Sequence, residues 1–113
     1  MELWQEQVKF TNDVGRLIRY IFEHGYVVTL GEAWRSPETA EIYAREGKGI
    51  VRSLHCDRLA IDLNLFSNSG KYLTDFQDWE FAGKFWEAMD QQNRWGGRFK
   101  PLVDMNHFER HII

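Results

Sequence analysis

The segment Leu59–Phe66 constrains the fold of this chain more than any other part of the sequence. Its aliphatic side chains fall on every second residue, and therefore on one face of an extended strand: Leu59, Ile61, Leu63 and Leu65. Asp62 lies on the opposite face, where a carboxylate within an apolar run is buried only if it is paired or binds a cation. The pattern predicts a strand with one core face and one chemically distinct face.

Helices and strands alternate through the rest of the sequence. Apolar residues at helical spacing predict helices at Glu6–His24 and Asp78–Gln92. A capping hydroxyl at Ser36 followed by proline predicts a further helix at Pro37–Arg45. Two more extended segments are predicted, at Tyr26–Leu30 and Val103–Phe108. Because most connections between strands are too short for parallel crossovers, we expect an α+β fold in which a small antiparallel sheet packs with about three helices.

Length and charge limit the classes of function. A chain of 113 residues with 14 basic and 17 acidic side chains, a net charge of −3, is expected to form a single domain over residues 1–113 and to have no general attraction for nucleic acid. The opening residues have neither the basic region nor the apolar run of a secretory signal, so we expect cytoplasmic synthesis without a signal peptide. No apolar stretch approaches the ~20 residues of a membrane span.

Potential metal ligands concentrate in two short segments, Ser53–Asp62 and Asp104–Glu109. A catalytic zinc ion takes about three nitrogen or oxygen ligands and keeps one position open. One such set is available here: His55, Asp62 and His107. Their spacing matches no local zinc motif, so the residues alone leave exposed or hydrogen-bonded histidines as the alternative.

The single cysteine offers a rival chemistry. Cys56 can act as a nucleophile only if a neighbouring base such as a histidine activates it. Adjacent residues on an extended backbone point to opposite sides, so His55 is poorly placed for that role. We therefore interpret Cys56 as a small, half-buried residue.

The motifs in these segments resemble those of one known family. Ser-x-His followed by Ala-x-Asp in residues 53–62, and an acid three residues before His-Phe in residues 104–108, are similar to motifs of the zinc D-Ala-D-Ala peptidase family, which shares its fold with the hedgehog signalling domain. Gly31–Ser36 resembles the arginine-bearing segment of that family, and Trp95-Gly96-Gly97 precedes the last ligand. The resemblance covers about residues 10 to 109 and implies a hedgehog/D,D-peptidase-like domain with one Zn²⁺ ion.

The resemblance also implies roles for single residues. Three side chains correspond to the zinc ligands: His55, Asp62 and His107. Asp104 corresponds to the catalytic base, which takes a proton from water and later delivers it to the leaving amine. Arg35 corresponds to the residue that holds the substrate carbonyl or the developing oxyanion. Ser53 opens the first motif and either binds substrate or supports the loop.

Some positions depart from the family pattern or lie beside it. Arg58 stands where many members have glycine, and Asp104 stands where the dipeptidases of the family have glutamate, which favours the endopeptidase branch. Asp104 and His107 would face opposite sides of a regular strand, so a bulge or turn must lie between them. Glu109 is a candidate to orient the ligands, whereas His111 is expected to be exposed and untethered.

The function implied by the resemblance is hydrolysis of a bond in the peptidoglycan stem peptide. The expected bond is L-alanyl-D-glutamate, cleaved by a monomeric phage or prophage endolysin that depends on a holin for access to the periplasmic cell wall. One alternative is a D-alanyl-D-alanine carboxypeptidase or dipeptidase. The other is a catalytically silent, hedgehog-like zinc module that binds a partner, although such a module has no need of a free carboxylate at Asp104.

Aromatic residues make up 15% of the chain, more than a domain of this size can hide completely. Helical spacing assigns four of them to the core: Phe22, Phe81, Phe85 and Trp86. Three others adjoin a proposed site residue or the glycine pair: Trp34, Trp95 and Phe108. We expect these three to form a low-dielectric wall on which the stem peptide lies.

Overall fold

The computed structural model describes residues 1–48 and 53–112, and its first element is a long helix. Helix α1 spans Leu3–Glu23, starting earlier than predicted because Glu2 and Gln5 form a capping box at its N-terminus. The helix stops before Gly25, whose φ of +86° is readily adopted only by glycine. None of the helices in the described ranges combines the length and apolarity that a bilayer crossing requires.

Within these ranges, a four-stranded sheet packs with three α-helices, so the predicted α+β fold is confirmed. The strands, in chain order, are β1 (Tyr26–Leu30), β2 (Ala60–Ser67), β3 (Asn93–Trp95) and β4 (His107–Arg110). They are arranged β1-β2-β4-β3, and every neighbouring pair is antiparallel. The other helices are α2 (Pro37–Arg45) and α3 (Phe76–Met89), and a short 3₁₀ helix spans Gly96–Arg98.

Three further elements differ from the predictions: helix α3 begins two residues and ends three residues earlier than predicted, and strands β3 and β4 also differ. Strand β3 was not predicted, because three residues are too few to show an alternating pattern. The extended segment predicted from Val103 becomes a strand only at His107, since a turn occupies the residues just before it. The predicted bounds of β1 and α2 are confirmed, and Ser36 caps α2 by accepting a hydrogen bond from the Thr39 N–H at 3.0 Å.

The core lies between the sheet and helices α1 and α3. The aliphatic face of β2 is buried as predicted, and each buried leucine there stabilises the fold by roughly 1.5–3 kcal/mol. Trp86 is fully buried, and Phe81 and Phe85 pack against the core. The prediction for Phe22 is wrong: it is 48% exposed, because it lies beside the inward stripe of α1 that Leu17 and Ile21 occupy.

Trp95 and Phe108 are also fully buried, so the prediction that they offer a surface to a substrate is wrong. Phe108 follows His107 on a strand and therefore points to the other face, where it packs edge-on against Trp86. The Trp95 ring lies so close to Gly83 of α3 that a Cβ there would come within 2.1 Å of it. Both aromatic side chains support the fold behind the candidate site.

Candidate metal and catalytic site

Strands β2 and β4 and a preceding turn bring together the three predicted ligands. Asp62 and His107 are directly opposite in the β2–β4 register, and His107 Nδ1 lies 3.3 Å from Asp62 Oδ1. His55 Nε2 lies 3.3 Å from the same oxygen. The candidate ligand atoms of all three residues lie within 4.8 Å of one another, a spacing that one metal ion can bridge.

The donor set fits a zinc ion. Two imidazole nitrogens and one carboxylate oxygen form a standard three-ligand set that leaves a further position open. The rings of His55 and His107 cross at 72°, with centroids 5.0 Å apart, so they approach Asp62 from different directions. The far nitrogen of His55, Nδ1, is buried and has no hydrogen-bond partner among the described residues. Both histidines are buried, and the group can therefore hold a metal ion away from bulk water.

Without a metal ion, the cluster strongly perturbs its own protonation. Burial alone would raise the pKa of Asp62, but hydrogen bonds from His107 and His55 outweigh it and hold that pKa at about 2. Burial would likewise lower the pKa of His107, but its bonds to Asp62 and Glu109 raise it to about 9. In the metal-free site, both ring nitrogens of His107 are thus protonated at neutral pH. One of these protons would have to leave before a metal ion could bind.

A tight turn over residues 54–58 places His55. The Arg58 N–H donates to the His55 carbonyl at 3.2 Å, and the His55 N–H donates to Ser53 Oγ at 3.2 Å. Of the two roles considered for Ser53, loop support is therefore the one its contacts serve. Arg58 has a φ of +56°, in the left-handed region that favours glycine. This is the position at which many members of the resembled family have glycine.

A second turn places Asp104, as the sequence predicted. The His107 N–H donates to the Asp104 carbonyl at 3.1 Å, so the chain reverses at Met105 and Asn106 before β4 begins. Gly96 packs against this turn, and its carbonyl accepts a hydrogen bond from the Asp104 N–H at 2.8 Å. A Cβ on Gly96 would come within 2.1 Å of the Asp104 carbonyl oxygen, so no larger residue fits there. Trp95 adds a bond from its indole N–H to the Met105 carbonyl at 2.7 Å.

The Asp104 side chain lies in the wall of a cavity of about 390 Å³ that also contains the three candidate ligands. Asp104 is an exposed residue overall, but the protein partly surrounds its carboxylate. Its partial desolvation raises the pKa of Asp104, and the nearby positive charge of His107 only partly offsets that effect. Asp104 is thus an open carboxylate beside the cluster, not one of the group of three.

Arg35 and Ser53 line the same cavity, whereas Trp34 does not. Trp34 is 47% exposed, and its ring lies under the Arg58 guanidinium at 5.1 Å. The aromatic residue of the cavity wall is Phe99, which sequence reasoning missed. Its position between the glycine pair and Asp104 is the one sequence signal for it.

The Arg35 side chain is held rigidly and is only 11% exposed. Its Nε donates to Glu32 Oε1 at 2.7 Å, Nη2 pairs with the same oxygen, and the guanidinium stacks 4.9 Å from the Tyr43 ring. Nη1 reaches Ser53 Oγ at 3.4 Å, and the Arg35 N–H donates to the His55 carbonyl at 3.3 Å. Arg35 is therefore a fixed cation in the cavity wall and not an ordinary surface residue. Glu32 was not identified from the sequence.

Glu109 lies directly behind His107. Its Oε1 is 2.7 Å from His107 Nε2, and its Oε2 accepts from Arg94. Burial alone would raise the pKa of Glu109, but the hydrogen bonds from His107 and Arg94 lower it. The expectation for His111 is wrong: its N–H donates to the Gln92 carbonyl at 2.7 Å, and its ring lies 3.7 Å from Glu109 Oε2.

Two comparisons with known proteins found similarity to this chain. A family described as D-alanyl-D-alanine carboxypeptidase matches residues 46–110, which include the three candidate ligands and Asp104 but not Arg35. The crystal structure of the Serratia marcescens L-Ala D-Glu endopeptidase ChiX superposes with a TM-score of 0.70 over 88% of this chain and 78% of that chain, at 22% sequence identity. The two proteins share a fold. No curated protein matches the sequence.

Proposed function

Because this chain belongs to the D-alanyl-D-alanine carboxypeptidase family, we propose that it is a zinc-dependent peptidase that hydrolyses the L-alanyl-D-glutamate bond of the peptidoglycan stem peptide. The observation that carries the proposal is the cluster of His55, Asp62 and His107 in one cavity with a free carboxylate, Asp104. A structural metal site needs no such carboxylate, so the arrangement favours a catalyst over a silent binding module.

In this proposal His55, Asp62 and His107 hold the zinc ion. When bound, zinc supplies Lewis acidity, which acidifies a water molecule and polarises a carbonyl. Asp104 receives the proton that the attacking water loses and delivers it to the leaving amine. Its raised pKa suits the first of these steps, because it makes Asp104 a stronger base than an ordinary aspartate.

Arg35 stabilises the negative charge that develops on the carbonyl oxygen. Its pairing with Glu32 and its stacking on Tyr43 fix the guanidinium before substrate arrives, so little reorganisation is needed during the reaction. The cavity wall also contains Lys48, a cation suited to the carboxylates of a stem peptide. Phe99 and Leu102 provide apolar surface in the same wall.

Two observations favour the L-alanyl-D-glutamate bond. Aspartate at position 104 resembles the phage endopeptidases more than the dipeptidases, and the fold is shared with a protein described as an L-Ala D-Glu endopeptidase. On this basis we assign the chain, as a single domain over residues 1–113, to a phage or prophage endolysin that reaches the periplasmic wall through a holin. The description of the matching family makes D-alanyl-D-alanine carboxypeptidase activity the second candidate.

The test is digestion of purified peptidoglycan with the zinc-loaded protein, followed by mass analysis of the fragments. New N-terminal D-glutamate identifies the endopeptidase, and released D-alanine identifies the carboxypeptidase. Asp104→Asn should lower the rate about 10²–10⁴-fold, because it removes the base without changing side-chain shape. Asp75→Asn, the same change at the exposed start of α3, should leave the rate unchanged. Intact peptidoglycan after treatment with the wild-type protein would refute the proposal.

A further inference from the structure

The candidate ligand His107 has a buried partner that the proposed chemistry does not use. Nδ1 of the ring faces Asp62 at 3.3 Å, and Nε2 faces Glu109 Oε1 at 2.7 Å. A neutral imidazole carries one N–H, and an ionised carboxylate can only accept a hydrogen bond. In the neutral ring that a metal ion requires, the short contact to Glu109 therefore places the single N–H on Nε2. The lone pair then lies on Nδ1, the nitrogen that faces the other two ligands.

The sheet itself supplies this partner. Residues two apart on a strand share a face, so His107 and Glu109 of β4 point to the same side. In the β3–β4 register Arg94 is directly opposite Glu109. Its Nε and Nη2 donate to Glu109 Oε2 at 2.9 and 2.6 Å, which leaves Oε1 for His107. Glu109 is only 5% exposed, so the protein and not water determines where its carboxylate points.

A fourth side chain closes the arrangement. The Arg94 guanidinium lies 5.2 Å from the Phe99 ring, and the Phe99 ring lies 5.6 Å from the His107 ring. Four side chains thus form a closed set of contacts: His107, Glu109, Arg94 and Phe99. Each of these side chains lies next to two others of the set, so Glu109 contacts the edge of the His107 imidazole and the tilted Phe99 ring flanks it.

We propose, resting on the proposed metal-dependent function, that Glu109 and Arg94 are positioning residues that fix the tautomer and orientation of His107, with Nδ1 presented to the metal ion. Glu109 acts directly through its hydrogen bond to Nε2. Arg94 acts through Glu109, because its two donors occupy Oε2 and keep the carboxylate from turning. Neither residue touches the substrate in this role, and both determine how tightly the metal is held.

The test is the Zn²⁺ affinity of the full chain, measured by competition with a chromophoric chelator. Glu109→Ala should raise the dissociation constant about 10–100-fold, the usual cost of losing such a partner. Glu109→Gln keeps an acceptor oxygen of the same shape and should cost less, and Arg94→Lys should weaken zinc binding less than Arg94→Ala. The matched controls are Glu87→Ala and Arg98→Lys, because these residues form an ion pair at 2.9 Å that does not line the cavity.

A spectroscopic measurement separates positioning from a merely structural role. In the zinc-loaded protein, ¹⁵N NMR of the histidine side chains should show His107 with its proton on Nε2. Glu109→Ala should shift or lose that proton signal, and Glu109→Gln should retain it. Should Glu109→Ala fail to fold, Glu109→Gln against Glu87→Gln still tests the affinity prediction.

The outcomes distinguish this proposal from the proposed function. Wild-type affinity and an unchanged His107 signal in Glu109→Ala would overturn the positioning role while leaving the zinc peptidase intact. Zinc binding that depends on Glu109, in a protein that cleaves no peptidoglycan, would support the positioning role and refute the peptidase. A wild-type chain that binds no zinc would overturn both.

Discussion

Strand β4 carries a cluster of buried charge on each of its faces, and the two clusters are built differently. On one face His107 and Glu109 belong to the candidate metal site. On the other, Arg110 is only 3% exposed and lies between α1 and the end of α3. Both clusters place charges in a low dielectric, where an uncompensated charge is costly.

The Arg110 cluster is compensated by the protein alone. Arg110 Nε and Nη2 each lie 2.8 Å from Glu6 Oε1, and Nη1 lies 3.1 Å from Asp90. Beside it the fully buried Asp13 accepts hydrogen bonds from Lys9, at 2.7 and 2.9 Å, and from Asn93, at 3.1 Å. These pairs tie α1 to β4 and to the end of α3.

In the metal-free cavity cluster, the charge of Asp62 is balanced by the proton that His107 retains, and not by a Lys or Arg side chain of the described residues. Two imidazoles share one oxygen of Asp62, at 3.3 Å each, and the shared oxygen faces a cavity. Buried charges stabilise the fold where fixed side chains of opposite charge pair with them, as around Arg110. Where two donors converge on one acceptor beside open space, the arrangement suits an added cation.

The largest effect is expected from a substitution in the cavity cluster, at Asp62. Asp62→Asn removes the one anionic ligand, so zinc binding should be lost and peptidoglycan hydrolysis should fall about 10³-fold, equivalent to about 4 kcal/mol of transition-state stabilisation. Chelator competition and fragment analysis measure the two losses. Asn64→Ala, two residues along the same face of β2, should change neither. An active Asp62→Asn protein would remove Asp62 from the metal site.

The second-largest effect is expected in the Arg110 cluster, where a substitution should lower the stability of the fold. Glu6→Gln leaves Arg110 with Asp90 as its remaining anionic partner, so the free energy of unfolding should fall by about 3 kcal/mol, the lower end of the range for breaking a buried pair. Urea unfolding measures it. Glu23→Gln at the exposed end of α1 should stay within about 0.5 kcal/mol of wild type. Equal stability of Glu6→Gln and Glu23→Gln would show that the Arg110 cluster is not stabilising.

A pH titration of stability sharpens the contrast. In metal-free protein the pKa of His107 is about 9, above the ~6.5 of an unfolded histidine. Its contribution to stability is therefore complete below about pH 6.5 and is lost as the pH rises to about 9, by on the order of 2 kcal/mol. Zinc replaces the proton, so the zinc-loaded protein should not show this loss. Thermal unfolding with chelator and with zinc measures both, and a flat profile in chelator would contradict the prediction.

The smallest expected effect is at Arg58. Its left-handed backbone costs roughly 1–2 kcal/mol in a non-glycine residue, so Arg58→Gly should stabilise the fold. The greater freedom of glycine in the unfolded chain and the lost contact with Trp34 reduce the gain to about 0.5–1 kcal/mol. Arg19→Gly, within α1, should instead destabilise by about 1 kcal/mol. Destabilisation by Arg58→Gly would show that Arg58 is needed for more than the turn.

Local physical rules predicted much of this molecule from its sequence. The alternation in Leu59–Phe66 was sufficient to predict β2 and to separate Asp62 from the core. The requirement that Asp104 and His107 share a side was sufficient to predict the turn between them. In both cases the deciding interaction spans only a few residues.

The predictions for Trp95 and Phe108 were wrong for an identifiable reason. Phe108 is next to His107 in the sequence, and Trp95 is next to the glycine pair. Neighbours on a strand face opposite sides, so Phe108 faces the core, and Trp95 lies directly opposite it on β3. The same rule places Glu109 on the side of His107. The partnership of Glu109 with Arg94 could not be foreseen, because it depends on β3, a strand too short to leave a pattern.

The alternation along β4 makes correct folding and catalytic competence inseparable. A pairing error of one residue would turn Phe108 and Arg110 toward the cavity and His107 and Glu109 toward the core. Such a molecule would lose its metal ligand and its apolar packing in the same event. An intermediate with this strand misaligned would therefore be unstable and would also lack the candidate metal site, so hydrolysis is expected only from chains that have completed this pairing.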